Sequence, residues 1–212
     1  MTQIILIRHG ETDWNKSEAF RGRKDVKLNG RGIEQAKAVA KALADLRLDA
    51  VYSSPLARAY ETATILSSEH GLEVQTVEGF IDIDFGEWQG LSHQAVKSKY
   101  RKAYDDWLQR PHTVKFMNGE SLDDLRLRSI DALNDLLAKH KDATIPIVSH
   151  RVVLKVLICA LLGLDNSHFW QIKHDIGAIA TFEYVDDKFI LASLNDTCHL
   201  KEINGEGKTI DS

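Results

Sequence analysis

The stretch Ile4-Ile5-Leu6-Ile7-Arg8-His9-Gly10-Glu11-Thr12 decides how this chain folds. Its apolar run is too short for a helix of its own and predicts a buried strand over residues 3–8. A cation, an imidazole and a glycine arrive where that strand ends. Ligands of open α/β sheets bind just beyond the carboxyl ends of strands. Taken singly these residues are ordinary: histidines pack in cores, arginines are solvated and glycines mark turns. Together Arg8, His9 and Gly10 form a compact anion-facing set, because the planar guanidinium matches two phosphate oxygens and glycine lets backbone approach the imidazole.

Outward from this strand, the apolar pattern alternates between strand and helix. Asn29-Gly30 marks a turn, and residues 32–46 repeat alanine and leucine at helical spacing. A second strand is predicted over 48–53, followed by a helix that Ser54 caps and Pro55 opens, running to about Glu69. A short strand over 74–77 precedes an irregular segment, 80–90. Helices are expected over 93–107 and, capped by Ser121, over 122–140. A strand over 143–148 leads into an apolar helix over 152–162. The strands 176–185 and 189–195 make a hairpin around Asp186-Asp187, and the polar tail after Glu202 should fray. This order predicts a three-layer α/β/α sandwich on a mostly parallel sheet, with an antiparallel edge strand.

The 212 residues suit one domain, residues 1–212, with 43% hydrophobic and 27% charged residues placing it among ordinary globular chains. A net charge of −4 argues against a general nucleic-acid surface. The longest apolar run, near residues 152–164, contains Lys155 and is too short to span a membrane. The strand-like start leaves no room for a signal peptide, so cytoplasm is the expected compartment. Cys159 and Cys198 make neither a disulfide scaffold nor a metal motif, and Cys159 reads as inert core.

Two more clusters sit at predicted strand ends. Ser53-Ser54-Pro55-Leu56-Ala57-Arg58 puts Arg58 one turn into a helix whose unpaired N–H groups favour anions. Ile147-Val148-Ser149-His150-Arg151 brings a second histidine. Two histidines and two arginines can surround a phosphoryl group, one imidazole attacking in line while cations hold the equatorial oxygens. A carboxylic acid would complete the set by protonating the leaving oxygen, and Asp82, Asp84 and Glu87 are the candidates.

The ordered motifs resemble the histidine phosphatase superfamily, also called phosphoglycerate mutase-like. They are Arg8-His9-Gly10-Glu11-Thr12 with Trp14-Asn15, Ser54-Pro55-Leu56-Ala57-Arg58-Ala59 with Glu61-Thr62-Ala63, Phe85-Gly86-Glu87-Trp88-Gln89-Gly90, Gly119-Glu120-Ser121 and Val148-Ser149-His150. The resemblance implies that His9 is a nucleophile forming phosphohistidine, that Arg8, Arg58 and His150 complete the phosphate pocket, and that Asn15 lies near the phosphate. It implies no metal or organic cofactor. Asp82 stands where the family usually has a glutamate proton donor, and Arg151 where many members have glycine.

The expected activity is hydrolysis of a small phosphorylated metabolite, releasing inorganic phosphate. The alternatives are a cofactor-dependent phosphoglycerate mutase and a non-enzymatic phospho-ligand binder. Residues 91–119 hold no adjacent arginine pair of the kind mutases use for a second charged group. Arg21 and Arg151 are expected to bind substrate, and Phe20, Arg23, Phe85, Trp88, Trp107, His112 and Phe116 to surround the entrance. Substrate identity and oligomeric state stay open at this point.

Overall fold

In β1 (Thr2–Arg8) successive side chains point to opposite faces of the sheet, so Ile4 and Leu6 join one core cluster and Ile5 and Ile7 another. A strand buried on both faces must lie between two helical layers. The computed structural model describes residues 1–16 and 19–204, and the tail beyond 204, with its expected fraying, lies outside them.

The further elements are α1 (Asp13–Lys16), α2 (Gly30–Leu43), β2 (Val51–Ser53), α3 (Ala57–Ser68), β3 (Val74–Thr76), α4 (His93–Lys99) and α5 (Arg101–Gln109). After them come α6 (Leu122–Lys139), β4 (Thr144–Ser149), α7 (Arg151–Leu161), β5 (Ile179–Val185), β6 (Lys188–Asp196) and α8 (Lys201–Asn204). The sheet order is β3-β2-β4-β1-β5-β6. The first four strands run parallel, β5 is antiparallel to β1, and β6 is antiparallel to β5. The expected sandwich with its antiparallel edge is therefore present.

Helices α2 and α3 cover one face through Val39, Ala40, Leu43, Ala59, Ala63 and Leu66. Helices α6 and α7 cover the other through Leu125, Leu133, Leu136, Val153 and Leu157, with Cys159 buried among them. Each such leucine or isoleucine contributes about 1.5–3 kcal/mol by leaving water. Among the described residues no helix is long and apolar enough to cross a membrane.

Several local expectations fail for physical reasons. Asn29-Gly30 is no free turn: Asn29 caps α2 by accepting the Gly32 N–H at 2.8 Å, and Gly30 is the first helical residue. Ser54-Pro55 does not open α3, which begins at Ala57. The Ala57 N–H is taken by Asp25 at 2.8 Å, and Ser54 instead closes a tight turn with the Leu56 N–H. The helix expected over 93–107 breaks at Tyr100, whose hydroxyl reaches Glu87 at 2.6 Å and whose ring stacks on Trp88. The cap of α6 is as expected and is a full capping box, with Asp124 answering Ser121.

Candidate active site

Parallel pairing brings three strand ends together. Arg8 on β1 pairs with Ser149 on β4, and Ser53 on β2 pairs with Val148. The ladders continue one residue further, with His9 N–H on the Ser149 carbonyl at 3.1 Å and Ser54 N–H on the Val148 carbonyl at 2.9 Å. This register puts His9 and His150 side by side, their ring centroids 5.2 Å apart. Both rings are buried, as are Arg8 and Arg58.

Gly10 does more than bring backbone to the imidazole. A Cβ there would lie 2.3 Å from the Gly32 carbonyl oxygen, so the glycine lets the loop after β1 touch the first turn of α2. That contact fixes the backbone carbonyl on which His9 depends. His9 Nδ1 lies 2.7 Å from the Gly10 carbonyl oxygen, which can only accept, so Nδ1 carries the proton. Burial, then the Arg58 and Arg8 charges, holds the His9 pKa well below 6.5. The ring is therefore neutral and Nε2 keeps its lone pair.

The same logic fixes His150. Arg58 Nε donates to His150 Nδ1 at 3.2 Å, leaving the ring proton on Nε2, which donates to Ser54 Oγ at 2.7 Å. Burial first, then Arg58, lowers the His150 pKa as well. Arg58 spends further donors on the carbonyls of Lys24 and Gly22 and on Asp82 Oδ2, each at 2.9 Å. Arg8 Nη1 donates to the His174 carbonyl at 2.9 Å.

Asp82 lies against this cluster. Its Oδ1 accepts its neighbour Ile83's N–H at 2.9 Å, and its Oδ2 stands 3.8 Å from His150 Nδ1. Burial raises its pKa despite the opposing pull of Arg58. A carboxyl group that holds its proton more tightly is suited to giving one away near a leaving oxygen. Asp84 and Glu87 are otherwise engaged: Asp84 accepts the Gly86 N–H, and exposed Glu87 takes the Tyr100 hydroxyl.

The backbone that carries Asp82 is clamped from below. Arg128 on α6 donates to the carbonyls of Gly79 and Ile81 at 2.8 Å and of Asp82 at 3.1 Å. Arg23 Nε reaches the Asp82 carbonyl at 3.3 Å. Glu120 joins the two arginines, at 2.9 Å from Arg23 Nη2 and 2.8 Å from Arg128 Nε. Arg128 was missed by sequence reasoning, since its acceptors are carbonyls that leave no mark in a sequence.

A cleft of about 200 Å³ opens over His9, Arg8, Asp82, Arg21 and Arg151, walled by aromatic rings that include Phe20, Phe85, Tyr104, Trp107 and Trp170. His93 also lines it, stacked on Phe20 at 4.4 Å. Arg21 and Arg151, the two expected substrate-binding arginines, both line it. Arg151 rests over the Trp170 ring at 5.5 Å. Arg23, Trp88, His112 and Phe116 do not line the cleft: Arg23 serves Glu120, Trp88 and Phe116 are core, and His112 is exposed. Asn15 is also outside it. Its Oδ1 accepts both the N–H and the hydroxyl of Thr12, and its buried Nδ2 has no partner. Among the described residues no group of histidine, cysteine, aspartate and glutamate has the arrangement of a metal site.

Comparison with known proteins returns the same architecture. A profile of the histidine phosphatase superfamily (branch 1) matches residues 4–197. Phosphoserine phosphatase 1 of Hydrogenobacter thermophilus is 37% identical over 202 residues, covering 95% of this chain and 96% of its own. YhfR of Bacillus stearothermophilus superposes with a TM-score of 0.92 at 30% identity, over 95% of this chain and 100% of its own. A mutant phosphoserine phosphatase of Entamoeba histolytica, solved in complex with phosphoserine, gives a TM-score of 0.86 at 32% identity over the same shares.

Proposed function

Because the chain belongs to the histidine phosphatase superfamily, we propose that its cleft hydrolyses a small phosphomonoester through a phosphohistidine on His9, with phosphoserine as the leading substrate. The observation that carries this reading is the His9 tautomer. With Nδ1–H on the Gly10 carbonyl, Nε2 is a neutral nucleophile beside two buried arginines. It is a histidine-type phosphatase, a phosphoric monoester hydrolase.

In the first step His9 Nε2 attacks phosphorus in line and the bond to the substrate's alcohol oxygen breaks. Asp82 gives its proton to that oxygen. Arg8 and Arg58 hold the equatorial oxygens as charge shifts among them, and His150, which accepts from Arg58 Nε and donates to Ser54, holds the Arg58 guanidinium in place. Arg58 has five N–H donors, of which four are spent on protein acceptors, so one is left for phosphate. In the second step the Asp82 carboxylate takes a proton from water, the water oxygen attacks phosphorus, and the N–P bond breaks. Inorganic phosphate leaves and both residues return to their starting states.

The shorter aspartate is sufficient because its backbone is held in place by Arg23 and Arg128. Arg21 and Arg151 line the cleft, which supports a role for them in meeting a second charged group of the substrate. Asn15 supports the loop after β1 through Thr12. The absence of an adjacent arginine pair in residues 91–119 favours hydrolysis over mutase action. We assign the enzyme to the cytoplasm as a single domain acting on a soluble metabolite.

The test is a panel of phosphoserine, 3-phosphoglycerate and sugar phosphates, read as phosphate release. Phosphoserine should give the highest kcat/KM. His9→Ala should lose turnover and the acid-labile phosphoprotein while keeping its fold. Full activity in that variant sinks the assignment, and faster phosphoglycerate isomerisation than phosphate release would favour the mutase.

A further inference from the structure

A second cavity, of about 360 Å³, shares Arg8, Arg151 and Trp170 with the reaction cleft and adds Lys155, Ile172, Lys173 and His174. Lys155 is its unusual member. It lies on α7, is 2% exposed, and has its Nζ 4.0 Å from the Phe169 ring centroid and 4.3 Å from that of Trp170. Among the described residues no hydrogen bond or ion pair holds it. Buried lysines are rare unless paired, because taking an ammonium from water is costly. Aromatic faces compensate only part of that cost.

The surroundings deepen the imbalance. Arg8 enters from β1 and Arg151 from α7, while Lys173, His174 and Asp175 come from the segment before β5. Asp175 is the one carboxylate lining the cavity among the described residues. It is already used: Lys173 Nζ lies 2.8 Å from its Oδ2, and Asn195 Nδ2 donates to the same oxygen at 3.1 Å. The His174 ring is buried with neither nitrogen partnered among the described residues, and burial holds it neutral, its pKa lowered to about 3. Burial and then Arg151 push the Lys155 pKa down to about 6, against a weak upward pull from the Cys159 thiol. The wall is firm, since Trp170 Nε1 donates to the Trp107 carbonyl at 2.8 Å.

We propose that this cavity is a second anion site, built to take a small carboxylate or inorganic oxyanion on Lys155 and coupled to the reaction cleft through Arg8 and Arg151. The anion supplies a countercharge that none of the described residues gives Lys155. Bound there, it holds the proton on the amine, so its affinity falls as pH rises and the free amine loses that proton. Two sources share this chemistry: the carboxylate of a substrate seated in the cleft, and a free anion.

The test is equilibrium dialysis with radiolabelled inorganic phosphate, counting phosphates bound per chain. The wild type should bind two, Lys155→Met one and Lys155→Arg two. One in the wild type and none in Lys155→Met would preserve this site and count against the cleft. Equal stoichiometry in the wild type and a folded Lys155→Met overturns the proposal. Lys155→Gln replaces the methionine variant if that fails to fold. Kinetics then separates the sources. A KM raised roughly tenfold for phosphoserine but not for phosphoethanolamine, which lacks the carboxylate, identifies the substrate's own group. An effect of added acetate on turnover that Lys155→Met abolishes identifies a free anion.

Discussion

Replacing Asp82 by asparagine separates proton donation from positioning. The carboxylate receives two donors, Ile83 N–H on Oδ1 and Arg58 Nη2 on Oδ2, both at 2.9 Å. An asparagine has one oxygen to offer. The stronger, charge-assisted bond should keep it, so the amide oxygen faces Arg58 and the NH2 faces the Ile83 N–H. The cost is one lost hydrogen bond and two opposed donors, about 1–3 kcal/mol of stability. Arg58 stays in place, and with it His150. What disappears is the proton, and a positioned general acid is worth about 10²–10⁴-fold, or roughly 3–5 kcal/mol of barrier.

That loss must depend on the leaving group. Serine leaves as a poorly stabilised alkoxide and needs the proton, whereas p-nitrophenolate leaves without one. In Asp82→Asn the phosphorylation of His9 by phosphoserine should therefore slow by about 10²–10⁴-fold. Phosphorylation by p-nitrophenyl phosphate should change by less than about tenfold, a barrier change under roughly 1.4 kcal/mol. Asp82 is also the base of the second step, so phosphohistidine should accumulate. Rapid-mixing experiments should show a burst of p-nitrophenolate stoichiometric with enzyme, followed by slow turnover. Equal slowing of the first step with both substrates would refute the reasoning, as would the lack of a burst with the activated one.

Gly10→Ala should destabilise the chain by about 1–3 kcal/mol through overpacking, since its Cβ meets the Gly32 carbonyl, and the denaturant midpoint reads this directly. Arg128→Met removes donors from three carbonyls around Asp82 and leaves Glu120 less well paired. We expect about 2–4 kcal/mol lost in chemical denaturation and a fall in kcat with KM for phosphoserine nearly unchanged. The pH profile of kcat/KM should lack a rising limb at the ordinary histidine value, because His9 is already neutral there. Its falling limb belongs to Asp82: the needed form is the acid, its pKa is raised by burial, and activity drops as pH rises through that raised value. A limb near 6.5 that His9 controls would contradict this.

The placement of three pieces of the candidate site was legible because each follows an apolar run. Residues 4–7, 48–53 and 143–148 announce strands, and His9, Ser54 and His150 come at or just after the ends of the observed ones. Parallel pairing does the rest, since one register aligns all three. The features that escaped depend on distant partners. Gly10 is a glycine because of Gly32 on another element, and no local rule couples them. Ser54-Pro55 has the composition of a helix start, yet Asp25 satisfies the first N–H from a loop elsewhere. The break at Tyr100 has neither glycine nor proline to mark it, and arises where the side chain binds Glu87 and Trp88. Lys155 reads as a flaw in an apolar helix until Trp170 and Phe169 are seen folded over it.

Asp82, the proposed proton donor, depends on its surroundings for its reach. A shorter carboxyl has less reach to spare, so its backbone must not drift. Three side chains outside the cleft lining fasten residues 79–84 through main-chain atoms: Arg23, Arg128 and Glu120. Burial would raise the Glu120 pKa, but bonds from Arg128 and the Asp84 N–H outweigh it and lower it. The clamp is therefore intact above the ordinary glutamate range and weakens as pH falls through that lowered value. Asp82 responds in the opposite sense, its raised pKa favouring the proton it must donate. Positioning and proton supply thus rest on two carboxylates whose environments drive them apart. Between the two values Glu120 is ionised to hold the segment while Asp82 still carries its proton.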